Sequence, residues 1–591
     1  ANPVGLAKEN YAEERSVRVL GNTFANFHLT PDIDIRASVG LDHLNLRSYM
    51  YDSPIVGPAV GSNGSAVVSD RYVTKLLYEG TATFSRDFGE NHAFSGVVGT
   101  SYEQNTNEFN RVTGQQFPTE YFRYLTSAAT ITDGTSSLSD WSLISYFARV
   151  SYSFANRYSA TVNLRTDGSS RFGADRRFGT FPSASFLWRV SEESFMQDQG
   201  LFNDLALRVS YGRTGNQQDL GDLASRGLYA GGANYEDLPG IYPNQLANPE
   251  LKWETTDQLD IGTDFTVLGN RLSVTLDYYI KKTKDLLVER PVPQTTGFSS
   301  IWYNVGSMEN RGIELTARAQ LLRGGQDGLN WTVDFNIAKN DNKVTELYNG
   351  EPMNFGFVSR VEEGQPLGAF YGYVTDGIFR TPEEVAAHAF QSTGTAPGDI
   401  RFKDLNGDGV INDADRTIIG SPWPDFTGGL TNTLSYRGFD LSLFVQFSQG
   451  NEIYNANRIY QEAYGLGYLD NMTKRALERW TPENPDAKEP RAVWGDPNNN
   501  IRNSDRFIED GSYIRLKNAV LGYTFPQSVA GRFGMRSLRV YLQGQNLLTS
   551  TDYSGFDPEV NYAGEHGVTR GTDFYTLPQA RSFTVGFNVG F

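Results

Sequence analysis

Cysteine is absent from this 591-residue chain, so neither a disulfide nor a thiolate metal site holds it together. Long apolar runs are missing too. No stretch approaches the roughly 18 consecutive apolar residues that a membrane-spanning helix needs, which excludes a helical membrane protein. Histidine is scarce, and the five present (His28, His43, His92, His388, His566) are scattered without metal-ligand spacing. No serine or carboxylate near them completes a catalytic triad. Glu362–Glu363 and Glu383–Glu384 are adjacent pairs, not an acid and a base facing one another across a cleft. The chain therefore does not read as an enzyme. Positive charge is in deficit, 52 Lys and Arg against 69 Asp and Glu, and a net charge of −17 argues against nucleic acid as the partner. Residues 1–13 show no basic-then-apolar leader pattern, so a signal peptide has been removed or the chain does not begin where the gene does.

What is present is aromatic and glycine-rich. Only 39% of residues are hydrophobic, yet 13% are aromatic, with 32 Tyr, 37 Phe and 60 Gly. Mean hydropathy is −0.44. Low hydropathy with many aromatics suits a β-barrel with aromatic girdles and long polar loops. The last eleven residues carry the pattern in its clearest form. Phe583, Val585, Phe587, Val589 and Phe591 alternate with Ser582, Thr584, Gly586, Asn588 and Gly590. Successive strand side chains point to opposite faces, so one face here is apolar and the other polar or small. A soluble terminal strand with such a face would invite aggregation, whereas a closed membrane barrel has no edge and turns that face to lipid.

The same period recurs along most of the chain. Leu272, Val274, Leu276, Tyr278 and Ile280 alternate with Ser273, Thr275, Asp277, Tyr279 and Lys281. Trp331, Val333, Phe335 and Ile337 alternate with Thr332, Asp334, Asn336 and Ala338. About 17 strands follow, near 17–30, 33–48, 72–88, 93–112, 140–155, 157–171, 179–192, 203–217, 252–268, 271–288, 306–322, 329–346, 426–437, 440–454, 507–525, 537–550 and 580–591. Their connections alternate between short and long. Short ones fall near Pro31, Gly89–His92, Ala155–Asn156, Gly269–Asn270, Gly324–Gly328 and Arg437–Phe439, and long ones near 49–71, 113–139, 218–251, 289–305, 347–425, 455–506 and 551–579. Outer-membrane barrels have short periplasmic turns and long outer loops. The expected fold is all-β, a large transmembrane antiparallel β-barrel in the outer membrane, with its outer face against lipid. An odd strand count whose first strand starts outside predicts a partial barrel, with amino-terminal strands missing or on another chain.

With strands placed, several segments resemble one family. They are Arg165–Gly173 (RTDGSSRFG), Leu207–Gln217 (LRVSYGRTGNQ), Asn248–Glu254 (NPELKWE) and Asn304–Glu314 (NVGSMENRGIE). Gly364–Gly372 (GQPLGAFYG), Asp404–Asn412 (DLNGDGVIN) and Phe507–Lys517 (FIEDGSYIRLK) complete the set. In this order they resemble SusC/RagA-like TonB-dependent outer-membrane transporters, nutrient importers that work with a SusD-like surface lipoprotein. The resemblance implies a barrel of about 22 strands around a plug, so about five strands and the plug are expected to lie outside this chain. It also implies energy supplied by TonB acting on that plug, and a glycan or peptide oligomer as cargo. A passive porin and a β-rich surface adhesin are the competing readings.

One local motif carries chemistry. Asp404, Asn406, Asp408, Gly409, Val410, Asn412 and Asp415 occupy positions 1, 3, 5, 6, 7, 9 and 12 of an EF-hand-like loop. Side-chain oxygens at alternate positions and the Val410 carbonyl suit a hard cation, and a structural Ca2+ is expected here, stiffening the long loop 347–425. Asp415 replaces the usual glutamate and is one methylene shorter. In the same loop, Thr381-Pro382-Glu383-Glu384 reads as an N-cap, a proline in the first turn and a capping-box glutamate, opening a short helix towards His388. Loop aromatics (Tyr229, Tyr235, Tyr242, Trp302, Tyr303, Phe370, Tyr371, Tyr373, Trp423) suit sugar stacking, loop packing or an interfacial girdle, and none is assigned to substrate.

Overall fold

The computed structural model describes residues 2–218, 220–236, 238–325, 327–464, 471–564 and 567–591. Seventeen long strands belong to one antiparallel sheet, and each coincides with an alternating segment of the sequence. The first seven are β1 (Tyr11–Thr30), β2 (Ile33–Asp52), β3 (Ser65–Phe88), β4 (His92–Gln115), β5 (Thr130–Phe154), β6 (Tyr158–Ser169) and β7 (Phe178–Arg189). The short turns hold the backbone in left-handed conformations suited to tight hairpins, as at Ala155 and Asn156 (φ 51° and 53°) and at Arg437 and Gly438 (φ 47° and 87°).

Element ends depart from the sequence reading for two physical reasons. β1 begins six residues before the expected 17, because Tyr11–Ser16 pair in register with Leu46–Tyr51 of β2. Backbone groups need partners whatever their side chains, so pairing continues through the charged run Glu13-Glu14-Arg15. Conversely, left-handed backbone at Asp285 (φ 58°) and Gly450 (φ 86°) cuts the expected strands 271–288 and 440–454 short, at Lys284 and Gln449.

The chain divides into two compact units, residues 1–188, 210–258 and 283–305 in the first, and 189–209, 259–282 and 306–591 in the second. In the first, cross-strand pairing lines up Phe27, Ile35, Ala82, Val98, Ala148, Leu164 and Pro182, one from each of β1 to β7 and all apolar. One residue along, on the opposite face, the row reads His28, Asp34, Thr83, Val97, Arg149, Asn163 and Ser183. Hydrogen bonds knit this polar face, among them Ser151 to Thr161 at 3.0 Å and Asn163 Nδ2 to Ser183 Oγ at 3.0 Å.

The second unit repeats the arrangement. Leu322, Trp331, Leu434, Leu441, Leu521, Leu542 and Val585 stand opposite one another across seven strands. The adjacent polar-face row is Gln320, Thr332, Thr433, Ser442, Val520, Gln543 and Thr584. The apolar rows are not packed into a dry interior. Val98 is 59% exposed, Leu164 50%, Leu542 50% and Val585 65%. Side chains this apolar in contiguous exposed rows are matched to hydrocarbon, not to water.

The buried hydrophobic clusters instead gather around the long loops. Phe172, Phe181, Leu220, Ala224, Leu251 and Trp253 form one in the first unit, and Val358, Phe370, Tyr454, Ala456, Ile459 and Phe507 form one in the second. Loop 551–579 is pinned at its root by a buried arginine. Arg515, 2% exposed, donates to Asp557 at 2.6 Å and pairs with Glu559, which also takes the Lys517 ammonium at 2.8 Å and the Tyr513 hydroxyl at 3.0 Å. Burial pushes the Asp557 carboxyl up, but the Arg515 hydrogen bond and the Glu559 and Gln579 amides outweigh it and hold the group below its usual range.

Two outcomes follow. Leu164→Lys should weaken folding of the whole protein into lipid vesicles by about 2–4 kcal/mol in a denaturant titration, and Asn163→Lys, one residue along and on the other face, by far less; equal losses would contradict the assignment of faces. Arg515→Met should leave the buried Asp557 carboxylate without its cation, at a cost of about 3–5 kcal/mol, and speed amide exchange across 551–579 at neutral pH. Because the folded Asp557 pKa is depressed, its contribution is complete above the ordinary aspartate value near 3.9 and is lost as the pH falls through the lower folded value. The unsubstituted loop should therefore reach the variant's exchange rate, corrected for intrinsic chemistry, only in acid below that value.

Candidate functional site

Loop 347–425 is a small folded body within the second unit. Its frame is a four-stranded antiparallel sheet of Met353–Phe355, Ser359–Val361, Ala369–Tyr373 and Arg416–Gly420, with Thr375–Ile378 paired to Ile400–Phe402. The expected helix is present as Pro382–Ala387 and ends at His388. The Glu384 amide donates to the Thr381 hydroxyl, which is the expected N-cap, whereas the Glu384 carboxylate reaches one residue past the cap and takes the Arg380 amide at 2.7 Å instead of the Thr381 amide that a capping box would use.

The cation motif lies between Ile400–Phe402 and Arg416–Gly420. Ile411 anchors it, buried with Ile400 and Phe402, while the Gly409 carbonyl and the Ile411 amide bond the backbone of Phe390, each at 2.8 Å. Asp404 turns into the loop and accepts the Gly407 amide at 2.7 Å and the Gly409 amide at 2.9 Å. Those amides, Gly409 first, hold its carboxyl below the usual range. The conformation needs glycine at both bends, with φ 74° at Gly407 and 82° at Gly409. Asn406 accepts the Asp408 amide, and Asp408 accepts the Val410 amide. Asp415 is fully buried, taking the Leu405 amide at 2.9 Å on one oxygen and the Asn412 amide at 2.8 Å on the other.

The loop is thus wound on its own amides. Among the described residues, no three Asp, Glu or His side chains converge as a ready-made ion cluster. The donor set still fits a hard cation in chemical kind. A carboxylate oxygen holding one N–H keeps a second lone pair, and Asp404 and Asp415 have both oxygens in that state.

The remaining singled-out residues separate cleanly. His28 pairs with Asp34, His43 with Thr74 and His92 with Tyr152, while the His388 ring packs edge-on against Phe379. His566 lies outside the described residues. Glu362 pairs with Arg360 at 2.6 Å, and Glu363 accepts the Leu347 amide at 2.8 Å. Phe370 is fully buried, so it is core. Tyr371 has the Arg360 and Arg416 guanidiniums over its ring at 3.8 and 4.6 Å, and the Trp423 indole donates to the Leu367 carbonyl at 2.8 Å. Trp302 packs against the Phe172–Trp253 cluster, whereas Tyr229 and Tyr235 stand 72% and 73% exposed in the first unit.

Sequence reasoning missed the buried polar seam that joins this loop to 491–506. Asp399, 1% exposed, binds the Arg491 guanidinium through both oxygens at 2.8 Å and takes the Asn500 amide group at 3.0 Å. Asn498 bridges Gln391, Asn500 and the Ile400 carbonyl. The visible signal was the run Asp496-Pro-Asn-Asn-Asn500, dense in side chains that bond backbone. A second seam centres on Glu462, also 1% exposed, which pairs with Arg458 at 2.9 Å and Arg506 at 3.0 Å.

Comparison with known proteins agrees with this architecture. The family described as TonB dependent receptor-like, beta-barrel, matches residues 6–547. TonB-dependent receptor P3 of Formosa agariphila is 34% identical over 610 residues, covering all of this chain and 60% of the relative. TonB-dependent receptor SusC of Bacteroides thetaiotaomicron is 29% identical over all of this chain and 57% of its own length. The solved structure of the RagAB peptide transporter superposes with a TM-score of 0.86 at 25% identity, over 99% of this chain and 63% of that one. The chain spans about 60% of the length of the curated relatives it matches. It belongs to the TonB-dependent receptor-like β-barrel family of the outer membrane.

Proposed function

We propose that this chain is the barrel portion of an active importer that carries a nutrient oligomer, glycan or peptide, across the outer membrane with a SusD-like lipoprotein at its outer loops. The observation that carries this reading is the fit to the RagAB peptide transporter, 25% identical with a TM-score of 0.86, over nearly the whole chain. The loops add a physical argument. The described parts of segments 347–425, 455–506 and 551–579 share buried apolar clusters and arginine–carboxylate seams, so they offer a preformed surface of the kind an oligomer or a partner protein binds without a large ordering cost. An ordered rim of this kind favours selective capture over passive leakage. Energy would come from TonB acting on a plug outside this chain.

Ca2+ in the 404–415 loop completes the proposal. Asp404, Asn406, Asp408 and Asp415 would supply side-chain oxygens and Val410 its carbonyl, with Asn412 acting through water. The ion's role would be to brace the loop body, not to react.

Cells carrying the intact receptor should accumulate a labelled oligomer only while the proton gradient and TonB are present, and lose that uptake when either is removed. Uptake that continues unchanged without both would favour a porin. In the purified full-length receptor, calcium should slow proteolysis within 347–425, and chelation should reverse the effect. Asp404→Ala with Asp408→Ala should abolish the calcium response, and an unchanged calcium stoichiometry would remove the ion from the proposal.

A further inference from the structure

Asp496 is the odd acid of the buried seam that joins 347–425 to 491–506. The run Asp496-Pro-Asn-Asn-Asn500 bends twice through left-handed backbone, at Asp496 (φ 40°) and Asn499 (φ 57°). Asp and Asn tolerate such bends because their short side chains bond nearby amides. Asp496, Asn498 and Asn500 are buried, while Pro497 and Asn499 between them stay exposed. Two carboxylates then meet on one amide. Asn500 Nδ2 donates to Asp399 at 3.0 Å and to Asp496 at 2.8 Å, which uses both of its hydrogens.

The two acids are held differently. Asp399 has the Arg491 guanidinium on both oxygens and also takes the Ala396 amide at 2.9 Å. Asp496 has only the Ile501 amide, at 3.3 Å, besides Asn500, and no cation pairs with it among the described residues. The charged groups nearby are otherwise engaged. From 347–425, Asp399 faces it with a like charge. From its own segment, Arg491 is held by Asp399, and Arg502 lies over the Tyr373 and Phe402 rings at 5.3 and 5.1 Å. His388 packs on Phe379, and its ring bonds the Ala389 carbonyl at 3.0 Å. A buried carboxylate without a cation is costly to ionise, and a second carboxylate shares its side-chain donor here. Burial first, and then the Asp399 charge, push the Asp496 carboxyl above its usual range despite the Asn500 and Ile501 hydrogen bonds.

We propose that Asp496 is a proton-operated pin between the two loops, loosening their joint when ionised and locking it when neutral. A proton taken from the medium removes the repulsion with Asp399, and the neutral acid still accepts from Asn500. Asn500 in turn holds the Ile400 amide at 2.7 Å, and Asn498 holds Gln391, which takes the Phe402 amide at 2.8 Å. The stiffness of this joint therefore follows the acidity of the medium. Its sign is opposite to that of Asp557. Because the folded Asp496 pKa is raised, its contribution is complete below the ordinary aspartate value of about 3.9 and is lost as the pH rises through the higher folded value. Neither cargo nor calcium enters the device.

The test is amide exchange in the full-length receptor, with chelator present throughout, corrected for intrinsic chemistry and followed from about pH 7 to about pH 4. Amides in 398–402 and 491–502 should become at least about threefold better protected as the pH falls. Those of the wall strand Phe426–Tyr436 should hold constant, which also checks the fold of each variant. Asp496→Asn, which mimics the neutral acid, should show no slope across that range, whatever its absolute level. His388→Gln should keep the slope of the unsubstituted receptor. A flat profile in the unsubstituted receptor, an unchanged slope in Asp496→Asn, or loss of the slope in His388→Gln would each overturn the proposal.

Discussion

Lipid offers the backbone no hydrogen bonds, and that single restriction orders the rest of this structure. Strands crossing hydrocarbon must satisfy every N–H and C=O sideways, which requires long, continuous, in-register pairing. It also fixes side chains at period two, so the faces must diverge in chemistry. Both consequences appear in the seven-residue rows of each unit, where a uniformly apolar line runs beside a line with a single valine among polar groups. A register slip of one residue in any strand would exchange these lines, so the alternation itself is what specifies the pairing.

Outside the hydrocarbon the restriction lifts, and a different solution takes over. The long loops bury Phe370, Tyr454 and Phe507 in cores of their own and set arginine–carboxylate seams at their junctions. Such seams are costly to desolvate, and the cost is offset where each carboxylate oxygen is bonded. Asp399 meets Arg491 and Asn500 together, and Glu462 meets several arginines, so neither acid is left with an idle oxygen.

The strands were legible in the sequence because alternation is a local signal and lipid enforces it without exception. All seventeen were located, with errors only at their ends, where pairing extends a strand, as β2 does in capturing Tyr11–Ser16, or a left-handed residue stops one, as at Gly450. The Thr381 cap was legible for the same reason: it is a short-range contract between a side chain and a nearby amide. The Asp399–Asn500 seam was not, because its partners lie about a hundred residues apart and nothing in either segment names the other. The small loop sheets were not, because strands as short as Met353–Phe355 and Ser359–Val361 carry too few residues to show a period. Composition leaves Phe370 open between sugar stacking, loop packing and an interfacial girdle, and only its burial shows it to be core.

Arg515 bears on how this mouth moves. With its guanidinium clasped by Asp557 and Glu559 beside the wall strand that carries it, segment 551–579 behaves as masonry, not as a flap. Any rearrangement of the loops is then borne by elements without such a rivet, and the segment travels only if the strand beneath it travels too.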